Sequence, residues 1–351
     1  PLVSATLTVR AGQGANPADR PGLAGFVSAM LPEGTTTRSA QQIAEAAAAL
    51  GATLTSVAGS EEARVEFSGL KASAKDGLAL LADVALNPAF AADEIERQKA
   101  QRLAALAQTR EEAALLANVV GNRVVYGEGH PLASNALGTE ASIKAIDAAA
   151  LRGFWQGHYR PERAALVVAG DLTEAELRAL IEPLFGAWKA TGEAASAAPL
   201  PAAKPVAART VVVDKPGAPQ TALAVVAPGP FAATPDWAAP EVMNAALGGL
   251  FTSRINNQLR EVKGYTYGIF SGYAMGRERG QFGIRGSVRT DVTGASIADM
   301  WKEIEAMRDK PMGAAELSRV RNARLLSLPG SFDTNQAVVG AYAANWTVGR
   351  P

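Results

Sequence analysis

The side chains that most often build metal and nucleophile sites are scarce in this chain of 351 residues. It has no cysteine and only two histidines, His130 and His158. The lack of cysteine excludes a disulfide framework, a thiolate zinc site, an iron–sulfur cluster and a cysteine nucleophile. His130 precedes Pro131 in a glycine-rich turn, where we expect its ring to hydrogen-bond to backbone. His158 stands beside Trp155 and Tyr159, so we expect it to pack as an aromatic ring rather than to bind a metal.

The charged residues give no electrostatic reason to expect nucleic acid or an anionic membrane as a partner. Lys and Arg number 34, as do Asp and Glu, so the formal net charge is zero. The densest charged run, residues 94–102, contains Glu94, Arg97 and Arg102 and predicts a solvated helix face with i,i+3 and i,i+4 ion pairs. No apolar run reaches about 18 residues, so no membrane-spanning helix is predicted.

The two halves of the chain repeat one order of predicted elements. In each half a helical pattern ends at a glycine, two alternating strands follow, then a helix, then a proline before a second helix containing Glu-x-x-Arg. Period-two strands between amphipathic helices predict an α+β fold with two homologous domains, each a largely antiparallel sheet packed with helices. The predicted elements are strands 52–58 and 63–68 with helix 74–86, and strands 265–270 and 281–288 with helix 295–307. Capping-box patterns, Ser39 with Gln42 and Thr173 with Glu176, predict two further helix starts.

A stretch rich in Ala, Pro and Ser separates the halves and has the composition of a linker. We therefore predict an N-terminal domain at 1–190, a linker at 191–208 and a C-terminal domain at 209–351 that starts with a strand at 210–213 and is truncated. Both termini are expected to be trimmed, so a missing signal peptide carries no information. The lack of cysteine is compatible with cytoplasm or periplasm, and the bacterial periplasm is the favoured expectation.

Residues 22–35 read Gly-Leu-Ala-Gly-Phe-Val-Ser-Ala-Met-Leu-Pro-Glu-Gly-Thr. This segment resembles the pitrilysin (insulinase) family of zinc metallopeptidases, in which Gly-Leu-Ala and Met-Leu-x-x-Gly-Thr flank His-x-x-Glu-His. The flanks are kept here and the centre is lost. Gly25 and Ala29 stand at the zinc-histidine positions and Ser28 at the general-base position. The family's third ligand is a glutamate about 75 residues further on, and Ala105 stands there.

Four further segments resemble motifs of the same family and occur in the family's order. They are His-Pro-Leu at 130–132 with Gly-Thr-Glu-Ala-Ser-Ile at 138–143, Tyr-x-Pro…Gly-Asp at 159–171, Gly-Gly-Leu-Phe-Thr-Ser-Arg…Leu-Arg at 248–260, and Gly-Tyr-Thr-Tyr-Gly at 264–268. The resemblance thus covers essentially the whole chain. It implies the α+β architecture with two domains predicted above.

The resemblance also implies which residues keep a role. Active members use an arginine and a tyrosine seven residues later to grip the peptide, and Arg260 and Tyr267 occupy those positions. Gly25 and Ala29 have no lone pair for a metal and Ser28 is no base at neutral pH, so we expect no bound metal, no cofactor and no peptidase activity from this chain alone.

The favoured hypothesis is therefore a non-catalytic subunit. It pairs with a zinc-bearing family paralogue and supplies Arg260 and Tyr267 to the partner's peptide site, so zinc is expected only in that partner. The alternative is a scaffold or peptide-binding protein of the same descent with no part in proteolysis. At the level of single residues, the alternative places Arg260 in a surface salt bridge and Tyr267 half-buried in a sheet, or makes Tyr265 the packing residue.

Overall fold

The structure is a computed structural model that describes residues 1–196, 200–201, 207–277 and 280–350. The chain forms two compact units. Unit 1 comprises residues 1–106, 134–199 and 331–351, and unit 2 comprises residues 107–133 and 200–330. These units group chain segments by spatial contact, whereas the boundaries at 190 and 208 remain a prediction about the sequence. Part of the predicted linker, residues 197–199 and 202–206, lies outside the described residues.

Unit 1 is built on an antiparallel sheet of four strands in the order β2-β3-β1-β4. The strands are β1 (Leu2–Val9), β2 (Thr53–Ala58), β3 (Ala63–Leu70) and β4 (Ala164–Gly170). In the register, Leu7 of the central strand lies opposite Val65 on one side and Leu166 on the other. Alternate residues of β3 are buried, as expected for a strand with one face on the core.

The helices are distributed over both units. In chain order they are α1 (Leu23–Met30), α2 (Ala40–Ala49), α3 (Ala74–Leu86), α4 (Ala92–Glu111), α5 (Ala113–Tyr126), α6 (Glu140–Ala145), α7 (Ala148–His158), α8 (Glu174–Phe185), α9 (Ala238–Asn244), α10 (Arg254–Asn256), α11 (Thr293–Asp309), α12 (Ala314–Ser327) and α13 (Asn335–Val348). Two π-helical turns, Ala245–Gly249 and Asn257–Val262, continue α9 and α10. None of the helices within the described ranges is both long and apolar enough to cross a bilayer.

Strand β1 is buried on both faces, because helices cover both sides of the unit 1 sheet. Its apolar residues, such as Leu7, face the core formed with α1 and α3. Its polar residues face α13, which comes from the far end of the chain, and Thr8 Oγ1 lies 3.5 Å from Thr347 Oγ1. Arg10 adds a hydrogen bond of 2.9 Å to the carbonyl of Trp346. Helix α13 is therefore an integral part of unit 1.

Unit 2 is built on an antiparallel sheet of three strands in the order β5-β7-β6. The strands are β5 (Gln220–Pro228), β6 (Ile269–Met275) and β7 (Gly280–Arg289). One face carries the unit's main core, in which Ile269 and Ile284 pack with Leu259 and Met300. Helix α5 contacts β5 and β7, and Arg285 Nε donates to Asn118 Oδ1 at 2.7 Å. The sheet thus has helices on both faces, as in unit 1.

The α+β prediction with two antiparallel-sheet domains is confirmed, and most predicted elements form. Helix α2 begins with the capping box of Ser39 and Gln42, and α8 begins with that of Thr173 and Glu176. Two strand predictions are wrong. Residues 210–213 form no strand, and the strand predicted at 265–270 begins only at Ile269. Residues 265–268 instead form the connection from the π-helical turn Asn257–Val262 to β6.

A partly buried ion pair joins α10 to α12 in unit 2. Arg254 Nε and Nη2 donate to the two carboxylate oxygens of Glu316 at 2.7 and 2.6 Å, so the pair is bidentate. The two side chains are 20% and 17% exposed. Because charge-assisted hydrogen bonds are strong where water is largely excluded, this pair holds the start of α10 firmly on α12.

We expect Glu316→Gln to lower the thermal unfolding midpoint at neutral pH, since losing such charge-assisted bonds costs about 2 kcal/mol. The hydrogen bonds from Arg254 hold the pKa of Glu316 below its ordinary value. The stabilisation is therefore complete above the unfolded-state pKa of about 4.3 and is lost as pH falls through the lower folded-state pKa. Calorimetry from pH 8 down to pH 3 should show the two midpoints converging in acid.

Asp309→Asn is the control, because Asp309 pairs with Arg308 on an exposed surface. Its midpoint should match that of the unaltered chain at every pH. A gap between Glu316→Gln and the unaltered chain that stays constant down to pH 3 would contradict the prediction.

Candidate functional site

Helix α1 carries the residues at the degenerate zinc positions and is almost completely buried. It begins after Gly22, whose φ of 88° is a left-handed conformation, and the Ala24 N–H donates to Asn16 Oδ1 at 2.7 Å. Ser28, at the general-base position, is 1% exposed, and its hydroxyl lies 2.8 Å from the hydroxyl of Ser56 on β2. The serine therefore belongs to a small polar contact between α1 and the sheet.

The space beside Gly25 is occupied by the guanidinium group of Arg102, which extends from α4. Arg102 Nη2 donates to the Gly25 carbonyl oxygen, and the guanidinium carbon lies 4.7 Å from the centre of the Phe26 ring. A Cβ atom placed on Gly25 would be 3.3 Å from the Ala136 carbonyl oxygen and 3.7 Å from both Nη atoms, so the guanidinium group lies in van der Waals contact with that position.

Arg102 is only 8% exposed, so the prediction that it belongs to a solvated helix face is wrong. The rest of the charged run behaves as predicted, with exposed pairs such as Glu94 with Arg97 and Glu96 with Lys99. Arg102 differs because no carboxylate in the described part of the chain pairs with it. Burial lowers the pKa of Arg102 to about 10, which still leaves the group charged at neutral pH.

The residues at this position do not fit a zinc ion. Zinc requires imidazole, thiolate or carboxylate ligands, and Gly25, Ser28, Ala29 and Ala105 supply none of them. Arg102 instead places a positive charge there. Throughout the described ranges, no group of three or more His, Asp or Glu side chains is arranged to hold a metal.

Arg260 lies in the π-helical turn Asn257–Val262, near the end of the helical segment that begins with α10. Its guanidinium carbon is 4.2 Å from the centre of the Phe251 ring, and its Nε is 3.6 Å from a carboxylate oxygen of Glu261. The surface salt bridge considered for Arg260 is thus present, and an ion pair of this length on the surface contributes little. The ring of Phe251, a residue that is 54% exposed, supports the guanidinium group from one side.

Tyr267 lies in the connection before β6 and is 89% exposed, so the alternative that places it half-buried in a sheet is wrong. The turn that precedes it is tight: Gly264 has φ 63°, and the Tyr265 N–H donates to the Leu259 carbonyl at 2.8 Å. Tyr265 packs against the core of unit 2. Tyr265 is therefore the packing residue, and the ring of Tyr267 faces solvent.

Both histidines have the structural surroundings expected from the sequence. His130 Nδ1 accepts a hydrogen bond of 3.0 Å from the Leu132 N–H, which stabilises the turn. His158 is buried, and its ring centre lies 4.3 Å from that of Phe154. Burial is the main reason why the pKa of His158 is lowered to about 4. The ring is therefore neutral at physiological pH.

The burial of Arg102 against α1 was not predicted, although the sequence around it differs from that around the other cations of the run. The other cations of the run have an acidic residue three positions before them, as Arg97 has Glu94. Arg102 has Gln98, Lys99, Ala105 and Leu106 at the neighbouring helical positions. A cationic side chain without an acidic residue three or four positions away cannot form an ion pair within its own helix, so its hydrogen bonds go to other segments or to water.

Comparisons with known proteins match the chain to one peptidase family. The family model described as Peptidase M16 inactive domain matches residues 145–324, about half of the chain, and the model described as Insulinase (Peptidase family M16) matches residues 1–128. An uncharacterized zinc protease of Mycobacterium leprae is 27% identical over 250 residues, which are 71% of this chain and 56% of that protein. The chain thus spans little more than half the length of that relative.

Two solved structures share the fold over nearly the whole chain. The peptidase M16 inactive domain from Pseudomonas fluorescens superposes with a TM-score of 0.91 at 27% identity, covering 100% of this chain and 84% of that one. A protease from Helicobacter pylori superposes with a TM-score of 0.90 at 17% identity, covering 99% and 84% of the two chains, which shows the fold alone. The motifs, the fold and the family matches agree: the chain belongs to the pitrilysin (insulinase, M16) family, as a member that lacks the His-x-x-Glu-His motif.

Proposed function

We propose that this chain is the non-catalytic subunit of a two-chain zinc peptidase. In this proposal it binds no metal, and it supplies Arg260 and Tyr267 to the peptide site of a zinc-bearing paralogue. The observation that carries the proposal is an asymmetry between two sets of residues. The metal ligands are gone and the Arg102 guanidinium group lies beside Gly25, whereas Arg260 is kept on an aromatic support and Tyr267 is kept exposed.

The chemistry of the pair suits a peptide ligand. An arginine presents a planar set of donors that match a carbonyl or carboxylate group. A tyrosine hydroxyl donates to a carbonyl oxygen, or to the oxyanion that forms when water attacks it. Within the described residues the Tyr267 hydroxyl has no hydrogen-bond partner, so it is available to a ligand. A chain that keeps these two groups but lacks a metal site is suited to binding peptide in the active site of a zinc-bearing partner.

The test is to measure cleavage of a quenched fluorescent peptide by this chain, by a paralogue that carries an intact His-x-x-Glu-His motif, and by the mixture. We expect this chain alone to be inactive, and the mixture to exceed the paralogue alone by at least about 100-fold, since added transition-state donors are worth that much or more. A chelator should stop the mixture.

Two results would overturn the proposal. One is chelator-sensitive cleavage by this chain alone. The other is a mixture no more active than the paralogue, which would favour the scaffold alternative with no part in proteolysis.

A further inference from the structure

A buried asparagine joins the two segments that carry Arg260 and Tyr267. Asn256 is the last residue of α10 and is 0% exposed. Its Nδ2 donates to the carbonyl oxygen of Phe251 at 2.7 Å, and its Oδ1 accepts from the Ile269 N–H at 3.2 Å. One side chain thus ties the loop before α10 to the first residue of β6.

Each of these two bonds is close to one member of the pair. Phe251 is the residue whose ring supports the Arg260 guanidinium group at 4.2 Å. Ile269 follows Tyr267 by two residues and anchors β6 in the unit 2 core. A displacement of Phe251 would remove the support of Arg260, and a displacement of Ile269 would move the connection that carries Tyr267.

The connection itself has a second anchor, which limits how far Tyr267 moves. Thr266 Oγ1 donates to the Ser287 carbonyl at 2.6 Å and accepts from the Gly268 N–H at 3.0 Å. Thr266 thus ties the residue before Tyr267 to β7, while the Tyr267 side chain is exposed. The Phe251 loop has no such second anchor. Among the hydrogen bonds of the described residues, only those of Asn256 connect this loop to β6.

We infer that Asn256 is a positioning residue for the Arg260 and Tyr267 pair. The inference rests on the proposed function, because the pair must act on a peptide for its placement to matter. The carboxamide carries its donor and its acceptor on separate atoms, and Asn256 uses one of them for each segment. Because Asn256 and the Ile269 amide are buried, loss of the side chain would leave the Ile269 N–H without a hydrogen-bond partner in the protein interior.

The test compares Asn256→Ala with Asn244→Ala in the mixture with the zinc-bearing paralogue. Asn244 is a matched control, because it is also buried in unit 2 and also bonds to β6, with its Nδ2 3.2 Å from the Ser271 carbonyl and its Oδ1 2.6 Å from the Ser271 hydroxyl. It contacts neither Phe251 nor Ile269 through these bonds. Both variants lose two buried hydrogen bonds, so we expect similar falls in thermal midpoint.

We expect Asn256→Ala to lower kcat/KM of the mixture by about 100-fold, the usual effect of misplacing a binding group by about 1 Å. Asn244→Ala should keep kcat/KM within about 2-fold of the unaltered mixture. Hydrogen exchange supplies a readout that needs no partner: the Ile269 amide should exchange at least about 10-fold faster in Asn256→Ala and at an unchanged rate in Asn244→Ala.

Equal losses of activity in the two variants would overturn the inference, because the role of Asn256 would then be structural only. An unchanged Ile269 exchange rate in Asn256→Ala would also overturn it. If Arg260→Ala leaves the mixture fully active, the proposed function fails, and the exchange measurement still decides whether Asn256 ties the segments.

Phe251→Leu gives a second variant that does not endanger folding, because the ring is half exposed. It keeps an apolar side chain but removes the aromatic face below Arg260. We expect KM of the mixture to rise about 3-fold with kcat nearly unchanged, as loss of a cation–π contact on a surface implies. An unchanged KM would show that Phe251 does not position Arg260, and it would overturn the inference.

Discussion

Replacing Arg260 by alanine should remove most of the peptide cleavage that this chain adds to a zinc-bearing paralogue. The expected loss in kcat/KM of the mixture is about 100-fold, because two charge-assisted hydrogen bonds to a peptide group contribute about 2–3 kcal/mol. Arg260→Lys should recover little of it, since an ammonium group keeps the charge but cannot present the planar fork. The measurement is cleavage of a fluorescent peptide over a range of substrate concentrations.

Arg308→Ala is the matched control for charge, because Arg308 is an exposed arginine of unit 2 that pairs with Asp309. A mixture that contains Arg308→Ala should be as active as the mixture that contains the unaltered chain.

Tyr267→Phe tests the second member of the pair, because it removes only the hydroxyl group of the tyrosine. If the tyrosine hydroxyl binds the oxyanion, kcat should fall by about 100-fold with little change in KM. Full activity of both Arg260→Ala and Tyr267→Phe would exclude any role of the pair.

Local sequence patterns predicted the elements well where the signal is contained within one turn or one strand. The capping boxes at Ser39 and Thr173 place the starts of α2 and α8 at the observed residues. The strands β2 and β3 follow the alternation of the sequence. In these segments a residue's conformation depends on neighbours within about four positions, and the sequence displays those neighbours directly.

Patterns failed where the decisive contact is distant or the helix geometry is irregular. Residues 210–213 have the apolar composition of a strand, yet Val212 is 84% exposed and pairs with no strand. Residues 257–262 form a π-helical turn and residues 265–268 a connection, so the following strand starts at Ile269 rather than at Tyr265. Neither hydrophobic periodicity nor composition reports a π turn.

The candidate site shows the same division. Arg260 and Tyr267 were found through motif resemblance, since each stands inside a short recognisable segment. Arg102 and Asn256 were not found, because their partners are distant or depend on the fold of a loop. Arg102 contacts a carbonyl 77 residues earlier in the chain, and Asn256 joins two backbone groups that have no sequence signature. The same holds for α13, whose packing on β1 connects the two ends of the chain.

Restoring the residues of the family's metal site should not by itself restore zinc binding. We expect the fourfold variant Gly25→His, Ser28→Glu, Ala29→His and Ala105→Glu to bind zinc poorly, although it contains the three ligands and the general base of the family motif. The reason is Arg102, whose Nη atoms lie 3.7 Å from the position of a Cβ on residue 25. The guanidinium group thus lies in contact with residue 25, and its positive charge would repel the ion by several kcal/mol at an effective dielectric constant of about 20.

Adding Arg102→Met to the fourfold variant should therefore raise its zinc affinity by at least about 100-fold, as measured by titration calorimetry and by metal content after dialysis. Arg97→Met in the same background is the control, because it removes one positive charge from the same helix at an exposed ion pair with Glu94. It should leave the affinity unchanged. Equal affinities with and without Arg102 would show that the missing ligands alone prevent metal binding. A selective effect of Arg102 would show that two features prevent metal binding in this chain, because the ligands are missing and a guanidinium group also occupies the space beside residue 25.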